Sequence, residues 1–354
     1  MSEVQRWIAG PLPVQVEMLQ PASAGAWDRY VDAHRDGSLF HLSAWRTVLG
    51  EGAGFSTHFL LARRGGLIVG VLPLARVRSW LFGDALVSLP FCVQGGLLAD
   101  DADAAAALLG AACTLTRELG VDYLELRHTA AQTNGWLARG TQWALFRRPL
   151  AATPEANLNA IPRKQRAVIR KALAGDLRSV ADDGLQHFLP LYATSVRNLG
   201  TPVFPTRYFE ALWRAFGARS QITTVWAGST ALSSVWSFVY KDTVLPYYAG
   251  ALPAARACKA FDFMYWALMR DACTAGLQHF DFGRSRVDSG AYAFKKNWGF
   301  TPTPVHYEYQ LGRARALPAP RADSGALALA SRLWRHLPLP LANRLGPLVS
   351  PYLA

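Results

Sequence analysis

The chain is poor in cysteine. Its four thiols, Cys92, Cys113, Cys258 and Cys273, are scattered through apolar or helical contexts, and none forms a C-x-x-C pair. That excludes a disulfide framework and the common zinc and redox motifs, and points to core thiols in a reducing compartment. Acids are scarce as well. The 25 Asp and Glu face 37 Lys and Arg, a formal charge of +12. Such a balance favours polyanionic partners, whether nucleic acid, nucleotide-linked sugars or anionic headgroups, without choosing among them. No stretch of about 18 apolar residues is free of charge, so no transmembrane helix is expected. The first twenty residues hold no basic segment followed by an apolar run, so no secretory leader is expected and the chain reads as cytoplasmic. What is present is apolar and aromatic: 51% hydrophobic and 12% aromatic residues make a globular chain. Its 354 residues are too many for one ordinary core and suggest two domains plus an extension.

One pattern occurs twice. FLLARRGGLIVGVLPLARV (59–77) reads as two strands joined at Gly65-Gly66, with a third near 85–91. A helix over 101–119 ends at Gly120, and the strand VDYLELR follows. The second half repeats this. Residues 222–250 give three strands with turns at Gly228-Ser229 and Lys241-Asp242, a helix spans about 260–275, Gly276 ends it, and LQHFDFG follows. Aligned on Gly120 and Gly276, Glu125 matches Asp281. Each half has a helical lead-in, at 26–51 and 185–218. Strand–strand–strand–helix–strand, twice, predicts two related α/β (α+β) domains, each a mixed sheet flanked by helices. The expected divisions are 1–150, 151–311 and an extension over 312–354.

The segment from His279 to Glu308 is the chemically densest. It sets Asp281, Arg284, Arg286, Lys295 and Lys296 among aromatics. HFDF reads as a buried strand ended by Gly283. Cations in an aromatic frame are costly to desolvate unless something anionic meets them, so the segment reads as the wall of a site for an anion or a developing oxyanion. The alternative is a solvated charge run between two strands. Arg284 and Ser285 follow a strand end, where α/β sheets often place ligands. Asp281 would brace Arg284 or accept a proton, and Tyr292 would relay a proton or pack.

The helix PRKQRAVIRKAL (162–173) carries Arg163, Arg166 and Arg170 on one face, with Lys164 and Lys171 beside it. That stripe suits phosphates, unless it is simply a solvated surface. Beyond Leu311 the chain turns to Ala, Leu, Pro and Arg. Six arginines face Asp323, and a Pro/Ala linker gives way to short amphipathic helices broken at Pro338, Pro340 and Pro347. These predict either peripheral contact with the inner face of a membrane through 325–354 or a helix pair packed on the protein.

Taken together, Arg163-Lys164-Gln165-Arg166, Arg170-Lys171, LPYYAGA, DFMYWALM, FDFGRS and FKKNWGF resemble the FemAB-like family, in particular its branch associated with exosortase/PEP-CTERM and exopolysaccharide systems. LFHLSAWRTVL, LPFCVQGGLL and YLELR resemble the same branch, and the likeness runs over about 38–311. It implies two tandem acetyltransferase (GNAT)-like domains with the active cleft in the second. It implies transfer of an acyl or aminoacyl group to an amine on a glycan or lipid-linked precursor, without a tightly bound cofactor or metal. The donor stays open between aminoacyl-tRNA and acyl-CoA. The loop GALPAARACKAF (250–261) lacks the Q/R-x-x-G-x-G/A glycines that hold a pyrophosphate on helix N-terminal N–H groups. The Phe294-Lys295 pair matches the one that the resemblance makes catalytic, and Lys295 would stabilise the tetrahedral oxyanion. On a strand, Lys296 would point the other way. Arg163, Lys164, Arg166, Arg170, Arg284 and Ser285 would hold the donor. The alternative function is a non-catalytic module that binds polysaccharide precursor or membrane.

Overall fold

The computed structural model describes residues 12–79, 83–131, 135–139, 142–317 and 325–353. The leader reading over residues 1–11 and the linker over 318–324 fall outside these. The chain divides into two compact units. Within the described residues, unit 1 takes the chain up to Gly50, Phe55–Ala138 and Tyr307–Leu317. Unit 2 takes Glu51–Gly54, Arg139–His306 and the C-terminal helices. The units thus cut the chain differently from the linear divisions at 150 and 311.

Unit 1 begins with β1 (Gln15–Met18), α1 (Ala24–Ala33) and the short α2 (Trp45–Thr47). Then come β2 (Ser56–Arg64), β3 (Leu67–Ser79), β4 (Gly83–Val87), β5 (Leu98–Ala99), α3 (Ala102–Glu118), β6 (Tyr123–His128) and β7 (Leu137–Arg139). The third strand therefore stops at Val87, short of the expected 91. The β2–β3 hairpin turns on Gly65 and Gly66, at φ +57° and +85°, a conformation that side chains disfavour. Asp101 caps α3 by accepting the Ala104 N–H at 2.9 Å. Ala104, Leu108 and Ala112, four apart, are fully buried, and α3 packs that stripe on the sheet beside Leu60, Leu72, Leu74 and Leu124. The fit is close: a Cβ at Gly70 would stand 2.8 Å from Leu108 Cδ1.

Unit 2 holds β8 (Trp143–Pro149), α4 (Pro154–Ala160), α5 (Arg163–Leu173), β9 (Leu177–Asp182), α6 (Phe188–Leu199) and α7 (Thr206–Phe216). It continues with β10 (Ser220–Ala227), β11 (Thr230–Tyr240), β12 (Thr243–Ala251), α8 (Ala255–Cys258), α9 (Ala260–Thr274), β13 (His279–Arg286), α10 (Gly290–Asn297) and β14 (Thr303–Pro304). After β15 (His306–Leu311) come α11 (Gly325–Trp334) and α12 (Leu339–Val349). Helix α9 is apolar on nearly every side because α4 and α5 cover the face turned away from the sheet.

The duplication is real in three dimensions. In each unit the first three strands pair antiparallel and the strand after the helix pairs parallel: β2–β3–β4–β6 and β10–β11–β12–β13. The sheets are completed by exchanged strands. β15 lies in the unit 1 sheet, order β1-β2-β3-β4-β6-β15-β7, and β8 sits between β14 and β13 in the order β14-β8-β13-β12-β11-β10-β9.

Candidate active site in the second unit

The two copies differ where the parallel strands part. In unit 2, β12 and β13 pair only at Thr243–His279 and Val244–Phe280, although both strands run on. Pro246, which has no N–H to donate, and a bulge between Trp236 and Ser237 of β11 against Tyr248 and Pro246 lie just past that point. In unit 1 the same parting is bridged by hydrogen bonds. Ser88 N–H donates to Glu125 O, and Gly95 and Gly96 N–H both donate to Arg127 O. The buried Arg127 guanidinium donates to Glu125 Oε1 at 2.7 Å and to the carbonyls of Leu89 and Cys92 at 3.2 Å. Under the glycine alignment, Gly283 stands where unit 1 has Arg127. The second copy has no side chain at that position.

Around Gly283 the predicted residues converge. β13 does not end there; it runs to Arg286 through a register shift between Asp281 and Arg284. Gly283 takes φ +68° in this bulge. Its N–H donates to Asp281 Oδ1 at 2.7 Å. Burial pushes the Asp281 carboxyl above the usual carboxylate range, opposed by that N–H, Arg147 and Lys295. So Asp281 braces the bulge through the backbone. Arg284 places its guanidinium 4.6 Å from the Trp143 ring centroid.

Lys295 lies on a helix, not a strand. Ser289 caps α10, accepting the Tyr292 N–H at 3.2 Å. Successive residues point about 100° apart on a helix, so Lys295 turns inward while Lys296 is exposed over the Tyr292 ring. Lys295 Nζ donates to the carbonyls of Phe282, Gly283 and Arg284 at 2.6, 3.2 and 3.1 Å. All three ammonium hydrogens are thus committed to the bulge. The side chain as a whole is part-buried, but its amine end is desolvated. That lowers its pKa to about 7; Asp281 opposes the shift and Arg284 adds to it. Phe294 packs against Phe261, Tyr265, Phe282 and Trp298. Tyr292 meets Phe146 edge-on at 5.2 Å, and Ser285 is buried.

The basic helix is α5. Ile169 and Ala172 are buried, and Gln165 Nε2 donates to Asp262 Oδ1 of α9 at 2.6 Å. The opposite face carries the cations. Arg163, Lys164 and Arg170 are exposed, and Arg166 donates to Asn159 O and Oδ1 at 3.1 Å. The stripe starts beside the Lys295 helix: a Cβ at Gly299, just past α10, would come within 2.9 Å of Pro162 Cδ.

Sequence reasoning missed four residues here. Gln165 and Asp262 lock α5 to α9, and burial raises the Asp262 carboxyl. Arg147 stands opposite Asp281 in the β8–β13 register and donates to Thr243 Oγ1 at 3.1 Å. Arg148 lies 4.7 Å from the Phe300 ring. None of the four had a local signal; a fifth residue, Ser289 at the α10 cap, did, standing three residues before Tyr292. A separate cavity of about 490 Å³ lies in unit 1, lined among others by His34, His41, Gly96, Arg127 and His128. Neither Asp281 nor Lys295 is among the residues that line it. Among the described residues no acid, His or Cys cluster could hold a metal ion, and no helix is long and apolar enough to cross a membrane.

The acetyltransferase (GNAT) domain family matches residues 162–296. No curated protein matches the chain. Among solved structures, FemX superposes with TM-score 0.64 at 14% identity, covering 84% of this chain and 98% of that one. The C-terminal DUF2156 domain assigned to a lysylphosphatidylglycerol synthetase from Agrobacterium fabrum gives 0.56 at 13%, over 88% and 96%. A tandem GNAT protein from the clavulanic acid biosynthesis pathway gives 0.54 at 13%, over 84% and 98%. In fold, the chain is a tandem GNAT-like protein whose second copy carries the acetyltransferase-domain match.

Proposed function

We propose that this chain transfers an acyl or aminoacyl group to an amino group of a cell-envelope or exopolysaccharide precursor, with the chemistry in unit 2. The observation that carries this is the asymmetry of the copies. The β4–β6 parting is bridged by Arg127 and the 88–96 loop, while past the β12–β13 parting the chain bulges at Gly283, which has no side chain, and brings Asp281 and Lys295 to that bulge. The acetyltransferase-domain match over 162–296 supports a transferase, and the fold likeness to FemX and to a lysylphosphatidylglycerol synthetase domain favours an envelope acceptor.

In the proposed step a neutral amine of the acceptor attacks the carbonyl of an activated ester or thioester. A C–N bond forms, the C–O or C–S bond breaks, and the amine's proton leaves with the alcohol or thiol. Lys295 would bring positive charge to the oxyanion by yielding one of its three carbonyl partners, and Asp281 sits close enough to influence its charge. The α5 stripe of Arg163, Lys164, Arg166 and Arg170 would hold donor phosphates, with Arg284 and Ser285 at the strand end. Aminoacyl-tRNA suits the stripe; acyl-CoA suits the fold.

One observation favours a second reading. All three Lys295 donors are satisfied by backbone, as in a structural lysine, and a binding module without turnover would keep that arrangement. Mass spectrometry of amine-bearing precursors incubated with charged tRNA or acyl-CoA separates the two. An amide product that depends on Lys295 supports transfer; tight binding with every donor left intact supports the module.

A further inference from the structure

We infer that α11 and α12 form a docking surface for an anionic membrane leaflet. The last thirty residues, 325–354, contain three arginines, one histidine and no acid. Both helices fix one side to unit 2. Gly200 lies so near α11 that a Cβ there would be 2.2 Å from Ser331 Oγ, and Arg197 donates to Arg335 O at 3.2 Å. Ala342 and Gly346 of α12 are buried, and a Cβ at Gly346 would stand 2.9 Å from Val203. Of the expected breaks, Pro338 does separate α11 from α12, but Pro340 serves the first turn of α12 and Pro347 lies inside it, so α12 runs unbroken from Leu339 to Val349.

The exposed sides of the two helices repeat one pattern. On α11, Leu329 and Leu333 are 58% and 62% exposed with exposed Arg332 between them. On α12, Leu341 and Leu348 are 42% and 66% exposed with exposed Arg344 between them. At about 100° per residue each leucine–arginine–leucine set falls on the side opposite the packed residues. Exposed Leu199 adjoins the Gly200 contact with α11. Exposed leucines alone would fit several partners. The arginines select, because a second copy would set cation against cation, whereas an anionic leaflet takes the leucines among its acyl chains and the guanidiniums at its phosphates. Helices of 10 and 11 residues lie on such a surface and cannot span it. This surface does not depend on the transfer reading.

Flotation of the full chain with phosphatidylcholine vesicles, with and without about a third phosphatidylglycerol, tests it. The expected result is binding to the anionic vesicles only, at least tenfold weaker for L329E/L348E and for R332A/R344A, and unchanged for R163A/R170A. The L329E/L348E variant should unfold at the wild-type temperature because both leucines are exposed. Equal binding by L329E/L348E and wild type, loss of binding in R163A/R170A alone, or no binding at all would overturn the inference. So would a wild-type dimer in sedimentation that L329E/L348E abolishes.

Discussion

Replacing Lys295 by Met tests whether the amine at the bulge is desolvated as the geometry requires. Burial lowers it from its ordinary 10.5 to about 7. Below pH 7 both folded and unfolded chains hold the proton, and the folded state carries the full cost of the buried charge. Between about pH 7 and 10.5 the unfolded chain keeps the proton and the folded chain loses it, so stability rises with pH. The slope is up to about 1.4 kcal/mol per pH step, and the rise sums to about 5 kcal/mol. The three carbonyl oxygens pull the other way, because they favour the ammonium, and would shift the rise toward the alkaline end of that window. Met fills similar volume without a titrating group, and leaves those carbonyls without their donor at about 1–3 kcal/mol for each that stays dry. The assay is urea unfolding of wild type and K295M in steps from about pH 6 to 10. The stability difference should move in favour of wild type by several kcal/mol as pH rises. A difference that stays flat within about 1 kcal/mol would refute the desolvated amine.

Arg127→Ala should cost about 3–5 kcal/mol by stranding buried Glu125, seen as a lowered unfolding midpoint, while catalytic turnover per folded molecule stays near wild type. Gly283→Ala should destabilise by about 1 kcal/mol through its positive φ and depress turnover more than Gly228→Ala at an open turn, measured on both variants by calorimetry and product formation. If tRNA lies on α5, R163A/R170A should reduce the slope of log affinity against log salt by roughly one to two, read by filter binding; an unchanged slope removes α5 from the donor site. Lys296→Met should leave stability within about 0.5 kcal/mol and turnover unchanged, since that side chain is exposed.

The repeated core could be read from the chain because its signals are local. Alternating apolar residues, the Gly65-Gly66 turn, and Gly120 and Gly276 behind their helices mark strands and helix ends directly. The exchange of β15 and β8 could not be read, because which sheet edge a strand joins depends on pairing between residues far apart in sequence. The Lys295 segment misled for a different reason. Its spaced aromatics imitate strand alternation, although the cap at Ser289 and the four-residue step from Phe294 to Trp298 are helical. The role of Arg127 was hidden too. It is a lone cation in sequence, and only the fold shows it tying β6 to Leu89 and Cys92, at the position that Gly283 takes in the other copy.

The central claim is that the second copy catalyses amide formation. The direct measurement is mass spectrometry of an amine-bearing envelope precursor incubated with charged tRNA or acyl-CoA and either wild type, K295M or R127A. A stable amide formed by wild type and R127A, and lost with K295M while its fold persists, is the predicted result. Equal product from K295M and wild type would contradict it.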